Sequence, residues 1–372
     1  MRTRLEIRRQ PRSGFSLIEL LVVMTIIAIV AAMFYSMLGA TGATARKGAT
    51  ETTIRKVDSL LQARFKELRE DFDEQERKKA RADVTTAAAA KASWFNVMSN
   101  AEAMATKYPV YASTPLAVRI AVIKADRYRG AFPQRVQDLY GINNADDGGS
   151  YFDDSPLLDY WKQAAPIWNG VTKNVSAHQA PTESSELLYL TLASGKGTGA
   201  SVNVLDDINP RHLKDSDGDG IPEIYDDWGN MLRFYNAPTR LVRPLGTDTV
   251  PSVDQYSVAE ALISGLPRRP TTTAEATDFT NAFNQDPLDP KKALQQLVGP
   301  PGSRNATVAA FETLFHTPDT FYKLMIVSAG EDGDFGLGDP TSTGPERLAG
   351  PSTTDLTTAA DNITNLQRLG GK

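Results

Sequence analysis

Between Asp215 and Asp227 the chain places Asp215, Asp217, Asp219, Glu223, Asp226 and Asp227 with no intervening Lys or Arg. Carboxylates held this close repel and raise one another's pKa unless a cation sits among them. Asp215-Ser216-Asp217-Gly218-Asp219-Gly220-Ile221 carries acids two residues apart, then a glycine for a sharp turn, then a residue whose backbone carbonyl is free to coordinate. With Asp226 in the twelfth position this is the spacing of a calcium loop, so the expected ligands are Asp215, Asp217, Asp219, the Ile221 carbonyl and Asp226. Asp226 is shorter than the usual closing Glu, and the flanks do not read as a helix pair. The pattern therefore fits either a calcium loop on another scaffold or an acidic surface turn.

Other chemistries find less support. The chain has no cysteine, which excludes disulfides, thiol catalysis and Cys-ligated metal. His178, His212 and His316 are far apart and show no metalloprotease spacing. Gly195-Lys196-Gly197-Thr198-Gly199 lacks the earlier glycine of a phosphate-binding loop and reads as a flexible connection. A net charge of −5 argues against a nucleic-acid partner. No constellation points to an enzyme.

The amino terminus holds a different kind of chemistry. Arg2, Arg4, Arg8, Arg9 and Arg12 face a single acid, Glu6, ahead of an apolar run from Phe15 to Leu38. As a helix this run is about 36 Å long, enough to cross a hydrocarbon core of about 30 Å. The basic flank is expected to stay in the cytoplasm, leaving the C-terminal part outside it. Glu19 is the one formal charge in the run. A carboxylate at such a depth costs about 2.5–3.5 kcal/mol on insertion scales and calls for a cationic partner.

Arg12-Ser13-Gly14-Phe15-Ser16-Leu17-Ile18-Glu19-Leu20-Leu21-Val22-Val23 resembles the cleavage and methylation motif of type IV pilins and type II secretion pseudopilins. The resemblance implies that prepilin peptidase cuts after Gly14 and that the new amino terminus, Phe15, is N-methylated. It implies a single-pass subunit in a bacterial inner membrane that later joins copies of itself or other pilins in a filament. There Glu19 would pair with the Phe15 amine of a neighbour. A simple membrane tether gains nothing from such an acid.

Elements must position these groups. Ile54, Val57, Leu61, Phe65, Leu68 and Phe72 recur at helical steps, which predicts the outer half of a long spine helix or a short coiled coil. Residues 87–108 read as helical. A further helix is expected from the Thr114-Pro115 start to about Arg129, ended by Gly130-Ala131-Phe132-Pro133 before a short helix at 134–140. Residues 141–183 read as a long loop with short elements, and 185–195 as strand or helix, with the Pro181-Thr182 start favouring helix. Trp228–Tyr235 and Phe321–Ser328 read as paired strands. Together with Ser328-Ala329-Gly330-Glu331-Asp332-Gly333 they resemble the head of the major pseudopilin, and the resemblance implies a second calcium loop at Glu331, Asp332, Asp334 and Asp339.

The expected organisation is a leader at 1–14, a transmembrane helix at 15–38, and spine and following helices at 39–140. A globular head at 141–338 carries a helical insertion at 240–318 (segments 253–264, 290–298 and 304–316), and a flexible tail follows at 339–372. The fold class is α+β and type IV pilin-like: a long N-terminal helix packed on a small antiparallel sheet. The expected function is a structural filament subunit. The alternative is a membrane-tethered, calcium-dependent module that binds an exported substrate or surface.

Overall fold

The computed structural model describes residues 16–79, 96–142, 154–163, 177–194, 208–243, 251–272, 275, 279, 286–298, 305–318, 320, 323–352 and 356–367. The chain divides into two units, Met1–Lys47 and Gly48–Lys372. Helix α1 covers Leu17–Lys79 and so contributes to both.

In the first unit the helix opens on a capping box. Ser16 Oγ accepts from the Glu19 amide at 3.2 Å, while Glu19 Oε2 accepts from the Ser16 amide at 2.9 Å. Beyond Glu19 the helix to Met33 is apolar apart from Thr25, whose hydroxyl donates to the Leu21 carbonyl, and the large side chains from Leu17 to Met33 are exposed by 45% (Val30) to 82% (Leu17). Among the described residues no helix is long and apolar enough to cross a membrane. The described apolar run from Leu17 to Met33 is about 26 Å long, shorter than the expected 15–38 span. Phe15 and the side chains of 34–41 lie outside the described residues.

The second unit is built on the outer part of α1. Ile54, Val57, Leu61, Leu68 and Phe72 are all at most 2% exposed, so the helical stripe seen in the sequence is buried as a core face. Phe65, on the same helix, meets Tyr128 edge-on at 5.8 Å and Phe132 at 6.2 Å. Tyr128 belongs to α3 (Leu116–Ala131), and Phe132 follows directly on it. The described helix preceding it, α2, is Val97–Lys107, and residues 80–95 lie outside the described set. Pro115, not Thr114, occupies the cap of α3. A 3-10 turn at Val136–Leu139 stands where the short helix was expected. Two more helices complete this part, α4 (Leu157–Gln163) and α5 (Glu183–Ser194), the latter resolving the strand-or-helix choice for 185–195.

Two small antiparallel sheets lie against α5. Strand β1 (Leu213–Lys214) pairs with β2 (Glu223–Ile224), Leu213 opposite Ile224. Strand β3 (Arg233–Tyr235) pairs with β4 (Met325–Ser328), Phe234 opposite Ile326, and β4 pairs with β5 (Ile363–Thr364), Ser328 opposite Ile363. The expected pairing of the two segments is present, but β3 begins five residues later than Trp228. Asp226 Oδ1 accepts from the Trp228 and Asn230 amides, and Gly229 adopts φ 91°, so 226–230 closes as a turn before the strand starts. Ser184 and Ser185 of α5 take the place of a neighbouring strand. Their hydroxyls accept from the Phe234 and Ile224 amides, each at 2.8 Å.

Alternation along the strands sends Phe234 and Ile326 into the core shared with α1, α3 and α5, and Tyr235, Met325 and Val327 into a second core. That second core explains the insertion. Helix α6 (Val253–Leu262) presents Tyr256, Val258, Ala259 and Leu262 to it. Two further helices of the insertion, α7 (Gln295–Val298) and α8 (Asn305–Glu312), are shorter than the expected 290–298 and 304–316. Asp289 turns its carboxylate onto the Ala293 and Leu294 amides and holds those residues in a turn.

The segment 339–372, expected to be flexible, supplies part of this core instead. Ala349 and Ala359 are buried in it, and Ile363–Thr364 forms the third strand of the sheet. Its Thr, Gly and Pro composition hides one strong anchor. Arg347 is 1% exposed and donates to the carbonyls of Glu312 and Phe315 at 3.0 and 2.6 Å.

Glu312 joins these parts as well. It is fully buried, accepts from Arg240 Nε at 3.1 Å and from Thr317 Oγ1 at 2.5 Å. Glu312→Ala removes the carboxylate that the buried Arg240 guanidinium and Thr317 share and is expected to cost about 3–5 kcal/mol. Glu70→Ala, which removes an exposed pair with Lys66 at 3.8 Å, should change stability by less than about 1 kcal/mol. Urea midpoints of the two variants check the contrast, and equal losses would contradict it.

Candidate functional site

The expected calcium loop is the connection between β1 and β2, and its carboxylates divide their work. Asp215 turns inward on its own loop, accepting from the Gly218 amide at 2.7 Å and the Gly220 amide at 3.0 Å. Asp217 Oδ1 accepts from the Asp219 amide, and Asp219 Oδ1 from the Ile221 amide. Gly218 and Gly220, at φ 79° and 96°, permit the turns this requires. Glu223, on β2, closes the loop by accepting from the Ser216 amide at 2.9 Å and its hydroxyl at 3.0 Å.

Asp226 does not join that group. Its Oδ2 accepts from Ser328 Oγ at 2.6 Å while its Oδ1 holds the turn before β3. Its twelfth position in the pattern places it across β2 from the loop, where it ties the end of β4 to the turn. Burial raises its pKa, and these hydrogen bonds oppose the rise.

Two donor groups form instead, each within 4.8 Å. One is Asp215, Asp217 and Glu223, and the other is His178, Glu186, Asp217 and Asp219. Asp217 and Asp219 are expected ligands from their spacing, and the structure brings them to α5. There Asp217 Oδ2 accepts from the Gln179 amide at 3.0 Å and Thr182 Oγ1 at 3.1 Å. His178, Glu183 and Glu186 were not singled out in the sequence. Their signal is Thr182-Glu183-Ser184-Ser185-Glu186, two acids one turn apart at the start of a helix whose next seven residues are buried throughout.

The second acidic loop uses its side chains differently from the expected ligand set. Asp332 Oδ1 accepts from the Asp334 amide at 2.8 Å, and Asp334 Oδ1 from the Gly336 amide at 3.3 Å. Asp361, from the C-terminal segment, takes the Glu331 and Asp332 amides. Asp339 Oδ2 lies 3.6 Å from Arg233. Among the described residues, Asp332 and Asp334 belong to no convergent group of three donors.

At the amino terminus Glu19 is described, with Ser16 as its partner. Gly14 and Phe15, the expected cleavage and methylation residues, lie outside the described residues. Ser16-x-x-Glu19 is a capping pattern readable from sequence, and it gives Glu19 a local partner in the single chain.

Residues 9–35 match the family described as the prokaryotic N-terminal methylation motif, the signature of type IV pilins and pseudopilins. No curated protein and no solved structure matches the chain.

The electrostatics of the α5 group give a pH dependence. Burial disfavours the His178 imidazolium, but Asp219, Glu183 and Glu186 outweigh it and push the group up from 6.5 to about 11. Burial raises Glu186 from 4.5 to about 7, with the Asp219 charge adding and His178 and Thr182 opposing. Burial likewise raises Glu223 to about 7. All three groups bind protons more tightly folded than unfolded across the interval between their two values. Stability contributed by the two glutamates is complete below pH 4.5 and lost as pH rises through 7, and that of His178 declines above 6.5. In chelator, the melting temperature should therefore fall steadily from pH 5 to pH 8. A flat or rising profile would contradict this.

Proposed function

We propose that the chain is a structural subunit of a type II secretion-like or type IV pilus-like filament, matured by prepilin peptidase. The observation that carries this reading is the methylation motif at 9–35, within which the helix from Leu17 to Met33 presents no polar face. Such a helix is stable only among lipid tails or other apolar helices. Before assembly the first is available in the inner membrane, with the basic residues before Ser13 on the cytoplasmic side. After assembly the second is supplied by neighbouring subunits. The globular unit has no assigned catalytic role in this reading; it gives the filament its outer surface.

Glu19 supports the filament reading over a simple tether. In the single chain its carboxylate caps its own helix through Ser16. In a filament the same carboxylate would take the charged Phe15 amine of a neighbour, since a charge buried among apolar helices is tolerable only when paired.

Two variants separate these roles. Glu19→Ala removes the charge and is expected to leave membrane insertion intact while sharply reducing filaments recovered after shear. Ser16→Ala removes the cap hydroxyl, costs about 0.5–2 kcal/mol of helix stability, and keeps the charge, so filament yield should stay near that of the unaltered chain. Normal yield from Glu19→Ala would sink the assembly role of this acid. Equal loss from both would assign Glu19 to capping.

A further inference from the structure

His178 stands just before α5, and its two ring nitrogens have different surroundings. Nε2 lies 3.1 Å from Glu183 Oε1. Nδ1 faces Asp219 Oδ2 at 3.3 Å, Glu186 Oε2 at 3.4 Å and Asp217 Oδ2 at 3.9 Å. These separations exceed the usual range of an N–H···O bond. Neither Nδ1 nor either carboxylate oxygen of Glu186 has a hydrogen-bond partner, and the Glu186 side chain is fully buried. A buried carboxylate in that state is strongly disfavoured unless a cation lies against it, and the His178 ring beside it stands beyond short hydrogen-bond range.

Tetrahedral coordination at about 2.0–2.1 Å places neighbouring donor atoms about 3.3–3.4 Å apart. That is the spacing from Nδ1 to Asp219 and Glu186. We propose that His178 Nδ1, Glu186, Asp217 and Asp219 form a site for a divalent ion of the zinc class. An imidazole among carboxylates favours such an ion over calcium, which takes oxygen donors. Glu183 plays the outer role common at such sites: as acceptor for Nε2–H it fixes the tautomer with the lone pair on Nδ1. Gln179 and Thr182 hold Asp217 in the same way. The Trp161 ring packs edge-on against the imidazole at 4.8 Å, and His178 keeps 15% of its side chain exposed as an entry for the ion. In a chain without cysteine, the ion clamps the β1–β2 loop to α5.

The test uses the full chain in detergent, stripped of metal by chelator and then titrated with zinc chloride by calorimetry. One equivalent is expected to bind and to raise the melting temperature. His178→Gln and Glu186→Gln should each weaken zinc binding at least tenfold, and Glu183→Gln should weaken it about 10–100-fold. A self-sufficient His178–carboxylate ion pair requires instead that zinc neither bind nor shift the melting temperature. That result overturns the proposal. So does zinc affinity unchanged by His178→Gln, or calcium binding that persists in His178→Gln and that zinc does not displace. Should the variants fail to fold, cobalt(II) added to the unaltered chain decides. Intense visible absorption of a low-coordinate nitrogen–oxygen site supports the proposal, and the weak spectrum of six-coordinate cobalt overturns it.

Discussion

A helix apolar on every face has to be covered, and in this chain that requirement governs the amino-terminal unit. From Leu17 to Met33 nothing in the described structure of the single chain shields the side chains from water. The large exposed residues are Leu, Ile, Val and Met, so each contributes on the order of 1.5–3 kcal/mol when it leaves water. Lipid or neighbouring helices are the two media that supply this without polar groups to match. The single acid near the start of the run, Glu19, is compatible with both, because Ser16 satisfies it in one chain and an amine would satisfy it among many.

The same constraint on charge recurs in the globular unit with a different solution. Glu312 is buried but surrounded by Arg240 and Thr317, so its burial ties the two ends of the insertion to each other. Asp226 is buried but takes two amides and a hydroxyl, so it fixes the turn that leads into β3. Glu186 is buried without any hydrogen bond, which sets it apart from both. The three acids show how little burial alone says about role, and how much the partners say.

Much of the frame was legible because it rests on periodicity. The stripe from Ile54 to Phe72 repeats every three or four residues and is buried as expected, and the aromatic-rich segment before Tyr235 pairs with the segment ending at Ser328. Local spacing was less reliable for the site. Asp226 fits the twelfth place of a calcium loop, yet the turn at Gly229 draws it toward Ser328. His178 and Glu186 stand 31 to 41 residues before Asp217 and Asp219 in the chain, so their meeting is a product of tertiary packing and has no sequence period. The C-terminal segment misled through composition. Its Thr, Gly and Pro content reads as loose chain, while Arg347 and Ile363 are the residues that bind it into the second core and the sheet.

The central claim is that the chain is matured at the Gly14–Phe15 junction and then held by the helix that follows. Intact mass of the protein extracted from membranes tests it most directly. The account predicts a chain that begins at Phe15, lacks residues 1–14 and carries one added methyl group on the new amine. A chain that keeps residues 1–14, or one that begins beyond the apolar run, would contradict it.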